Sequence, residues 1–151
     1  MTKKTLRRLN VLVVDDDHAI VRLLDKVLGS HFEDEITLET MTDPIEASQW
    51  LETHCCDILL SDIEMPGLDG LKLLRIAKNQ NAWTQVVILT AHSTWDRMYE
   101  AVQDGASDYL LKPLDSAEVI EVVAQRLEQA GRWQRAARDT LSPPEPADAS
   151  A

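Results

Sequence analysis

Four short apolar runs in this chain each end in a polar side chain, and this arrangement constrains the fold more than any other feature. The runs cover Val11–Val14, Ile58–Leu60, Val86–Leu89 and Tyr109–Leu111. Each is short enough for a buried β-strand, and helical patterns lie between them. Such alternation is typical of a parallel α/β sheet with right-handed crossovers. The polar residues that end the runs are therefore expected to meet at one edge of the sheet, where such folds place their chemistry.

The residues at the four strand ends favour a metal ion and a phosphoryl group. They are Asp15, Asp16 and Asp17, then Asp62, Thr90 and Lys112. Neighbouring carboxylates repel one another when all are ionised, so either the pKa of one of them rises or a cation enters the cluster. Mg²⁺ suits best because it prefers oxygen ligands and keeps waters that a phosphate oxygen can displace. Asp62 can then be a metal ligand and a nucleophile, with Lys112 stabilising the transferring charge and Thr90 donating a hydrogen bond.

The remaining patterns complete five strand and helix pairs. Apolar residues at helical spacing predict a first helix with Gly29 near its end: Ile20, Leu23, Leu24, Val27 and Leu28. An edge strand over 35–40 follows, then a helix from the Asp43 cap and Pro44 to about Thr53. Three more helices are predicted, one from Leu71 to about Lys78, one that contains Trp95 to Val102 and ends at Gly105, and a last one that begins at Ser116. Glycines after helices and an Asp-Pro start are the usual boundary signals.

The 151 residues predict one domain with flanking segments. We expect a basic, solvated leader over 1–8, including Arg7 and Arg8, and the main domain over 9–130. A heptad-like seam from Ile120 to Leu141 predicts that the last helix continues past Gly131 over 131–141. Residues 142–151 are rich in Pro and Ala and are expected to be a disordered tail or linker.

Composition excludes several classes. The net charge of −11 argues against direct nucleic-acid binding, because phosphate backbones demand positive charge. No apolar stretch approaches the roughly 20 residues that span a bilayer, and no membrane association is expected. The adjacent Cys55 and Cys56 have no partners for a disulfide framework or a zinc site, which favours a reducing cytoplasm.

Four motifs in order carry a family resemblance. The segments Leu12–Asp16, Ser61–Gly70, Leu89–Ala91 and Gly105–Pro113 together resemble the receiver domain of two-component response regulators, of the chemotaxis-regulator type. The resemblance covers roughly residues 8–130. It implies a three-layer, doubly wound (β/α)5 fold, flavodoxin-like, with five parallel strands in the order 2-1-3-4-5.

The resemblance also implies a role for each site residue. Asp62 corresponds to the phosphoacceptor, and Asp16 and Asp62 to direct Mg²⁺ ligands, while Asp15 would act largely through water. The main-chain carbonyl of Glu64 would complete the protein ligands, and Mn²⁺ can substitute for Mg²⁺.

The remaining implied roles concern the switch. Thr90 and Tyr109 correspond to the switch hydroxyl and aromatic, and Lys112 to the family's lysine, with a cis Lys112-Pro113 peptide. Glu64 and His92 occupy positions that tune dephosphorylation, in a direction the sequence leaves open.

The implied partners are those of a signalling protein. A sensor histidine kinase, a phosphotransfer protein or a small acyl phosphate would supply the phosphoryl group. The face of the fourth helix, fifth strand and fifth helix would then change and control an output domain or partner. A homodimer would use that face or the extended last helix. No enzymatic activity is expected beyond self-phosphorylation and self-dephosphorylation.

Some alternatives stay open at this point. The register Asp16–Asp17 competes with Asp15–Asp16, although the latter gives the first helix its inward face. A phosphohydrolase with an aspartate nucleophile would need the D-x-D-x-T pattern, which is absent after Asp62. A degenerate receiver would need no phosphate. The chain is either a stand-alone receiver or the receiver portion of a longer regulator.

Overall fold

A single parallel sheet of five strands organises the chain. The computed structural model describes residues 7–141, with the side chain of Leu141 not described, so residues 1–6 of the leader and the tail over 142–151 lie outside the described residues. The strands are ordered β2-β1-β3-β4-β5, and every neighbouring pair is parallel. The predicted flavodoxin-like fold class and strand order are confirmed.

Strands and helices alternate along the described chain. Their bounds are β1 Leu9–Val14, α1 His18–His31, β2 Ile36–Met41, α2 Pro44–Thr53, β3 Ile58–Asp62, α3 Gly70–Gln80, β4 Gln85–Thr90, a 3-10 helix His92–Arg97, α4 Met98–Gln103, β5 Asp108–Leu111 and α5 Ser116–Leu141.

The central strand β1 shows why the fold has three layers. Val11 and Val13 pack with apolar residues of α1 and α5 on one face of the sheet. Leu12 and Val14 pack with α2, α3 and α4 on the other. Successive side chains of a strand point to opposite faces, so an unbroken apolar run is what a strand covered by helices on both sides requires.

Two predicted helix boundaries differ from the structure. Gly29 does not stop α1, which continues to His31 and is capped by Phe32. A Cβ added at Gly29 would meet nothing within 4 Å, so the helix passes through this position, and the chain turns where buried Phe32 enters the core. The predicted helix around Trp95 begins as a 3-10 helix, because the N–H of Thr94 donates to the carbonyl of Ala91 three residues back.

Other boundaries lie close to the predictions. The edge strand is shifted by one residue to 36–41, and α3 is longer at both ends than the predicted 71–78. Asp43 caps α2 by accepting from the N–H of Ile45. Gly105 has φ of 101° and its N–H donates to the carbonyl of Val102, which closes the end of α4.

The last helix continues beyond Gly131 to Leu141 and contacts the domain through an aromatic pair. The rings of Trp83, in the loop before β4, and Trp133 lie 4.6 Å apart between centroids.

At the other terminus, Arg7 does not lie free in solvent as predicted: its guanidinium donates two hydrogen bonds to Asp57, at 2.8 and 2.9 Å. Arg8 also donates, to the carbonyl of Ile36. Among the described helices, none is both long and apolar enough to cross a membrane.

Candidate functional site

Three carboxylates meet where β1 and β3 end. Val14 lies opposite Ser61 in the parallel register, so the next residues, Asp15 and Asp62, lie side by side at the ends of their strands. One oxygen from each of Asp15, Asp16 and Asp62 lies within 4.8 Å of the others. This is the only such group of potential ligands in the part of the chain that the structure describes. The acidic cluster predicted from the strand ends is therefore present as geometry.

Asp17 lies outside this cluster and has a different task. Its side chain accepts a hydrogen bond from the N–H of Ala19 and caps α1. Its own N–H donates to Oδ1 of Asp15 at 2.9 Å. The geometry thus favours the Asp15–Asp16 register, with Asp17 at the helix N-terminus as expected for a capping carboxylate.

Asp15 is fully buried and is paired with a cation. Its Oδ2 lies 2.7 Å from Nζ of Lys112, while Oδ1 accepts from the backbone. Burial raises the pKa of Asp15, and the hydrogen bonds from Lys112 and Asp17 only partly offset this effect. A buried carboxylate with both oxygens engaged is positioned rigidly.

Lys112 reaches the cluster from the edge strand β5. It follows β5, its N–H donates to the carbonyl of Thr90 at 2.7 Å, and the predicted cis peptide to Pro113 is confirmed. Its ammonium lies 3.5 Å from Oδ2 of Asp62. Desolvation lowers the pKa of Lys112, but contacts with Asp15 and Asp62 outweigh it and the pKa is raised overall.

Asp62 combines a raised pKa with access from solvent. Desolvation raises its pKa to about 6, with repulsion from Asp15 and Asp16 adding to the effect and Lys112 opposing it. Its side chain keeps 14% exposure, whereas that of Asp15 has none. Of these two carboxylates, Asp62 is therefore the one that an incoming group can reach.

The donor set fits a hard divalent cation. Three carboxylates face one ammonium, so the cluster keeps an excess of negative charge, and repulsion from Asp15 and Asp16 adds to the desolvation that raises the pKa of Asp62. All available side-chain donors here are oxygens, which is the ligand type of Mg²⁺ and Mn²⁺.

The loop between β3 and α3 is held against the site by backbone contact. A Cβ on Gly70 would lie 1.9 Å from the carbonyl oxygen of Asp62 and 2.8 Å from Cα of Ile63. The N–H of Gly70 also donates to the carbonyl of Ile63 at 2.8 Å. Only glycine permits this close approach, and the sequence motif contained Gly70 without indicating why.

A salt bridge closes the same loop onto the segment after β4. Arg97 pairs with Asp69, which also caps α3 through the N–H of Leu71. The hydrogen bond to Asp69 is the main cause of the raised pKa of Arg97. These residues are 28 positions apart, and no local sequence signal links them. Exposed Glu64 and exposed His92 lie on the two connected segments.

Thr90 is completely buried at the end of β4. Its Oγ1 lies 2.7 Å from Oγ1 of Thr94, which is also buried. Thr94 had no predicted role, because a threonine four residues past a strand end carries no signal of its own.

Tyr109 lies on the outer surface beside Trp95. Their rings are arranged edge to face, 5.3 Å between centroids and 78° between planes. Both are exposed, as are Tyr99 and Val102 of α4. Aromatic pairs of this geometry are favourable, so Tyr109 has a defined partner in its outward position.

The family model described as "Response regulator receiver domain" matches residues 11–124. The DNA-binding transcriptional regulator NtrC of Escherichia coli K12 is 40% identical over 117 residues, which are 78% of this chain and 24% of that protein. The response regulator protein FleR of Pseudomonas aeruginosa is 32% identical over 117 residues, covering 76% of this chain and 24% of that protein. The chain thus spans about a quarter of the length of these relatives.

Solved structures with the same fold include a signal receiver domain of an HD domain-containing protein from Pseudomonas fluorescens Pf-5. It has a TM-score of 0.77 and 28% identity, and the match covers 93% of this chain and 98% of that one. A CheY-like receiver domain protein from Methanospirillum hungatei JF-1 has a TM-score of 0.75 at 23% identity, with 83% of this chain and 98% of that chain covered, and supports the fold alone.

Proposed function

This chain belongs to the response regulator receiver domain family, and on that premise we propose that Asp62 accepts a phosphoryl group in a Mg²⁺-dependent reaction. The donor is a histidine kinase, a phosphotransfer protein or a small acyl phosphate. The observation that carries the proposal is the convergence of Asp15, Asp16 and Asp62 at adjacent strand ends, with Lys112 beside them.

The metal belongs to the proposal. Asp16 and Asp62 would hold Mg²⁺ directly, Asp15 largely through water, and the main-chain carbonyl of Glu64 would complete the protein ligands; Mn²⁺ would substitute. When bound, the ion supplies charge neutralisation for the carboxylates and for the incoming phosphoryl oxygens. The oxygen donor set and the negative excess of the cluster support this assignment.

On the acceptor side, the transfer needs an ionised Asp62. An Oδ lone pair of Asp62 forms the new P–O bond while the bond from phosphorus to the donor's nitrogen or oxygen breaks. The leaving group takes that electron pair. With a pKa of about 6, most Asp62 is ionised at neutral pH. Lys112, already 3.5 Å from Asp62, stabilises charge on the transferring group.

Phosphorylation then shifts a two-state equilibrium. The new group adds about −1.5 to −2 charges and three acceptor oxygens. Thr90 would donate to one of them, and Tyr109 would leave Trp95 and move inward. The face formed by α4, β5 and α5 would change as a result. The exposed positions of Tyr99 and Tyr109 on this face, and of Trp95 in the adjoining 3-10 helix, support its assignment as the surface that a partner contacts.

The output lies in a domain or partner outside these residues. The relatives NtrC of Escherichia coli and AlgB of Pseudomonas putida are transcriptional regulators about three times the length of this chain. We therefore favour a receiver portion of a longer regulator, with the extended α5 as connector. A homodimer through the α4, β5 and α5 face or the end of α5 belongs to the same proposal. Glu64 and His92 would tune the rate at which the phosphoryl group is lost.

Phosphorylation chemistry on this site distinguishes a signalling receiver from an enzyme. Incubation with acetyl phosphate and Mg²⁺ should add one phosphoryl group per chain, detected by intact mass and removed by hydroxylamine. Asp62→Asn should abolish the adduct, while Asp34→Asn, at an exposed carboxylate between α1 and β2, should leave it unchanged. Multiple turnover of unrelated phosphate esters would instead support a phosphohydrolase, and absence of any adduct would support a degenerate receiver.

A further inference from the structure

Thr90 and Thr94 share a buried network of hydrogen bonds just beyond the carboxylate cluster. Their hydroxyl oxygens lie 2.7 Å apart. Oγ1 of Thr94 donates to the carbonyl of Ala91 at 2.9 Å and accepts from the N–H of Ala91 at 3.3 Å. Oγ1 of Thr90 has a longer contact to the same carbonyl, at 3.2 Å.

The distances favour one arrangement of the two hydroxyl protons. Each threonine hydroxyl has a single proton to donate. If Thr94 donates to Ala91 at 2.9 Å, Thr90 donates to Thr94 at 2.7 Å, and both protons use the shorter contacts. The reverse arrangement would send the Thr90 proton over 3.2 Å instead. The distances therefore favour the arrangement in which Thr90 donates to Thr94.

We propose that Thr94 is a positioning residue that withholds the Thr90 hydroxyl from the phosphoryl site and so sets the threshold for switching. The inference rests on the proposed function, since it concerns the hydrogen bond that Thr90 gives to a phosphoryl oxygen on Asp62. A hydroxyl with one proton cannot serve Thr94 and a phosphoryl oxygen at once. The charge-assisted hydrogen bond from Thr90 to a phosphoryl oxygen is stronger than the one from Thr90 to Thr94, so phosphorylation still moves Thr90. The net gain in free energy is smaller than it would be without the bond to Thr94.

The location of Thr94 makes this competition specific. Thr90 and Thr94 are both buried, so the acceptors that the structure gives the Thr90 hydroxyl are Oγ1 of Thr94 at 2.7 Å and, with a longer contact, the carbonyl of Ala91 at 3.2 Å. Thr94 belongs to the 3-10 helix His92–Arg97, whose far end is joined to the loop after β3 through Arg97 and Asp69. Thr94 keeps its own bonds to Ala91 after Thr90 leaves. Releasing Thr90 therefore leaves no orphaned hydroxyl behind, and the exchange is readily reversible.

The test compares hydroxyl-free and hydroxyl-bearing variants at position 94. Thr94→Val keeps the β-branched shape and removes the acceptor, and Thr94→Ser keeps the acceptor. The probe is beryllofluoride with Mg²⁺, a stable analogue of a phosphoryl group on a carboxylate, titrated while backbone amides are followed by NMR. Thr94→Val should lower the half-saturating concentration about two- to tenfold, the range for one lost competing hydrogen bond. Thr94→Ser should stay near the wild-type value.

A double-mutant comparison separates positioning from a general structural effect. If Thr94 acts through Thr90, Thr94→Val should have no effect in a Thr90→Val background. An equal shift in both backgrounds, or an unchanged or raised half-saturating concentration in Thr94→Val, overturns the inference. Thr94→Ala provides a second hydroxyl-free variant and must shift in the same direction. Labelling of the wild type by acetyl phosphate is measured first. If the wild type is not labelled, both the proposed function and the inference are overturned. If the wild type is labelled but Thr94→Val has the wild-type half-saturating concentration of beryllofluoride, the inference alone is overturned.

Discussion

The ammonium of Lys112 lies closer to Asp15 than to Asp62, at 2.7 Å from one Oδ2 and 3.5 Å from the other. It thus neutralises the carboxylate that water does not reach and leaves the more open one partly uncompensated. A buried charge without a partner is far more unfavourable than an accessible one. The arrangement explains how the fold can accommodate a fully buried carboxylate while a second one beside it stays accessible.

Replacing the cation should therefore destabilise the metal-free protein. Lys112→Met leaves Asp15 buried and unpaired, and we expect the free energy of unfolding to fall by about 2–4 kcal/mol. Urea unfolding in EDTA measures this change, and added Mg²⁺ should restore more stability in the variant than in the wild type. Lys72→Met, at an exposed position of α3, is the matched control and should stay within about 0.5 kcal/mol. Equal free energies of unfolding for Lys112→Met and the wild type would contradict a stabilising ion pair between Lys112 and Asp15.

Removing a carboxylate from the cluster should instead stabilise the metal-free protein. Asp16 is exposed, and its charge contributes to the raised pKa of Asp62. Asp16→Ala should raise the melting temperature in EDTA, because a repulsion is removed, and weaken Mg²⁺ binding by at least about tenfold. Asp17→Asn keeps the cap of α1 outside the cluster, so calorimetric Mg²⁺ titration should find near wild-type affinity. A lower or unchanged melting temperature for Asp16→Ala would argue against repulsion.

The pKa of Asp62 predicts a pH dependence of stability. This pKa is about 6 in the folded protein against an ordinary value of 3.8, so the folded state binds more protons between these pH values. Stability from this group is complete below the unfolded pKa and is lost as pH rises through the folded one. In EDTA, the free energy of unfolding of Asp62→Asn should fall less than that of the wild type between about pH 4 and pH 7. At neutral pH it should be about 1–3 kcal/mol higher than that of the wild type. Urea unfolding at several pH values tests this; an equally steep fall in Asp62→Asn would assign the dependence elsewhere.

The strands and the carboxylate cluster could be predicted because their signals are local. A central strand such as β1 must be apolar on both faces, and its end must turn polar where it leaves the sheet. Asp15 and Asp62 become neighbours because β1 and β3 are also adjacent and pair Val14 with Ser61, and the strand order came from the family resemblance. The cap role of Asp43 followed from the same local chemistry.

The features that sequence reasoning missed depend on residues distant in the chain or on exact distances. Arg97 finds Asp69 only because the segment after β4 folds over the loop after β3. The 3-10 start of the segment before α4 arises from bonds between Thr94 and Ala91, although the spacing of Trp95 and later apolar residues favoured an α-helix. Periodicity reports the buried face of a helix and not the hydrogen bonds of its first turn.

The end of α5 is predicted to serve assembly and not phosphorylation. Truncation of residues 132–151 removes Trp133 and its contact with Trp83, far along the chain from the carboxylate cluster. We expect unchanged labelling by acetyl phosphate and weaker self-association, measured by sedimentation at high concentration. Truncation of 142–151 alone, which keeps the described helix, is the control. Equal sedimentation of the two truncated forms and the full chain would remove the last helix as a dimer contact.

Two glycines in helices should respond in opposite ways to the same substitution. In Gly70→Ala the new methyl would meet the backbone of Asp62 and Ile63 at 1.9 to 2.8 Å, so β3 or α3 must shift. We expect a loss of about 2–3 kcal/mol, the upper range for overpacking, and slower labelling of Asp62 because its strand end moves. Gly29→Ala meets nothing within 4 Å inside α1 and should gain about 0.5–1 kcal/mol with unchanged labelling. Thermal and urea unfolding with acetyl phosphate kinetics provide the comparison. A tolerated Gly70→Ala would mean that the loop after β3 does not hold Asp62 in place.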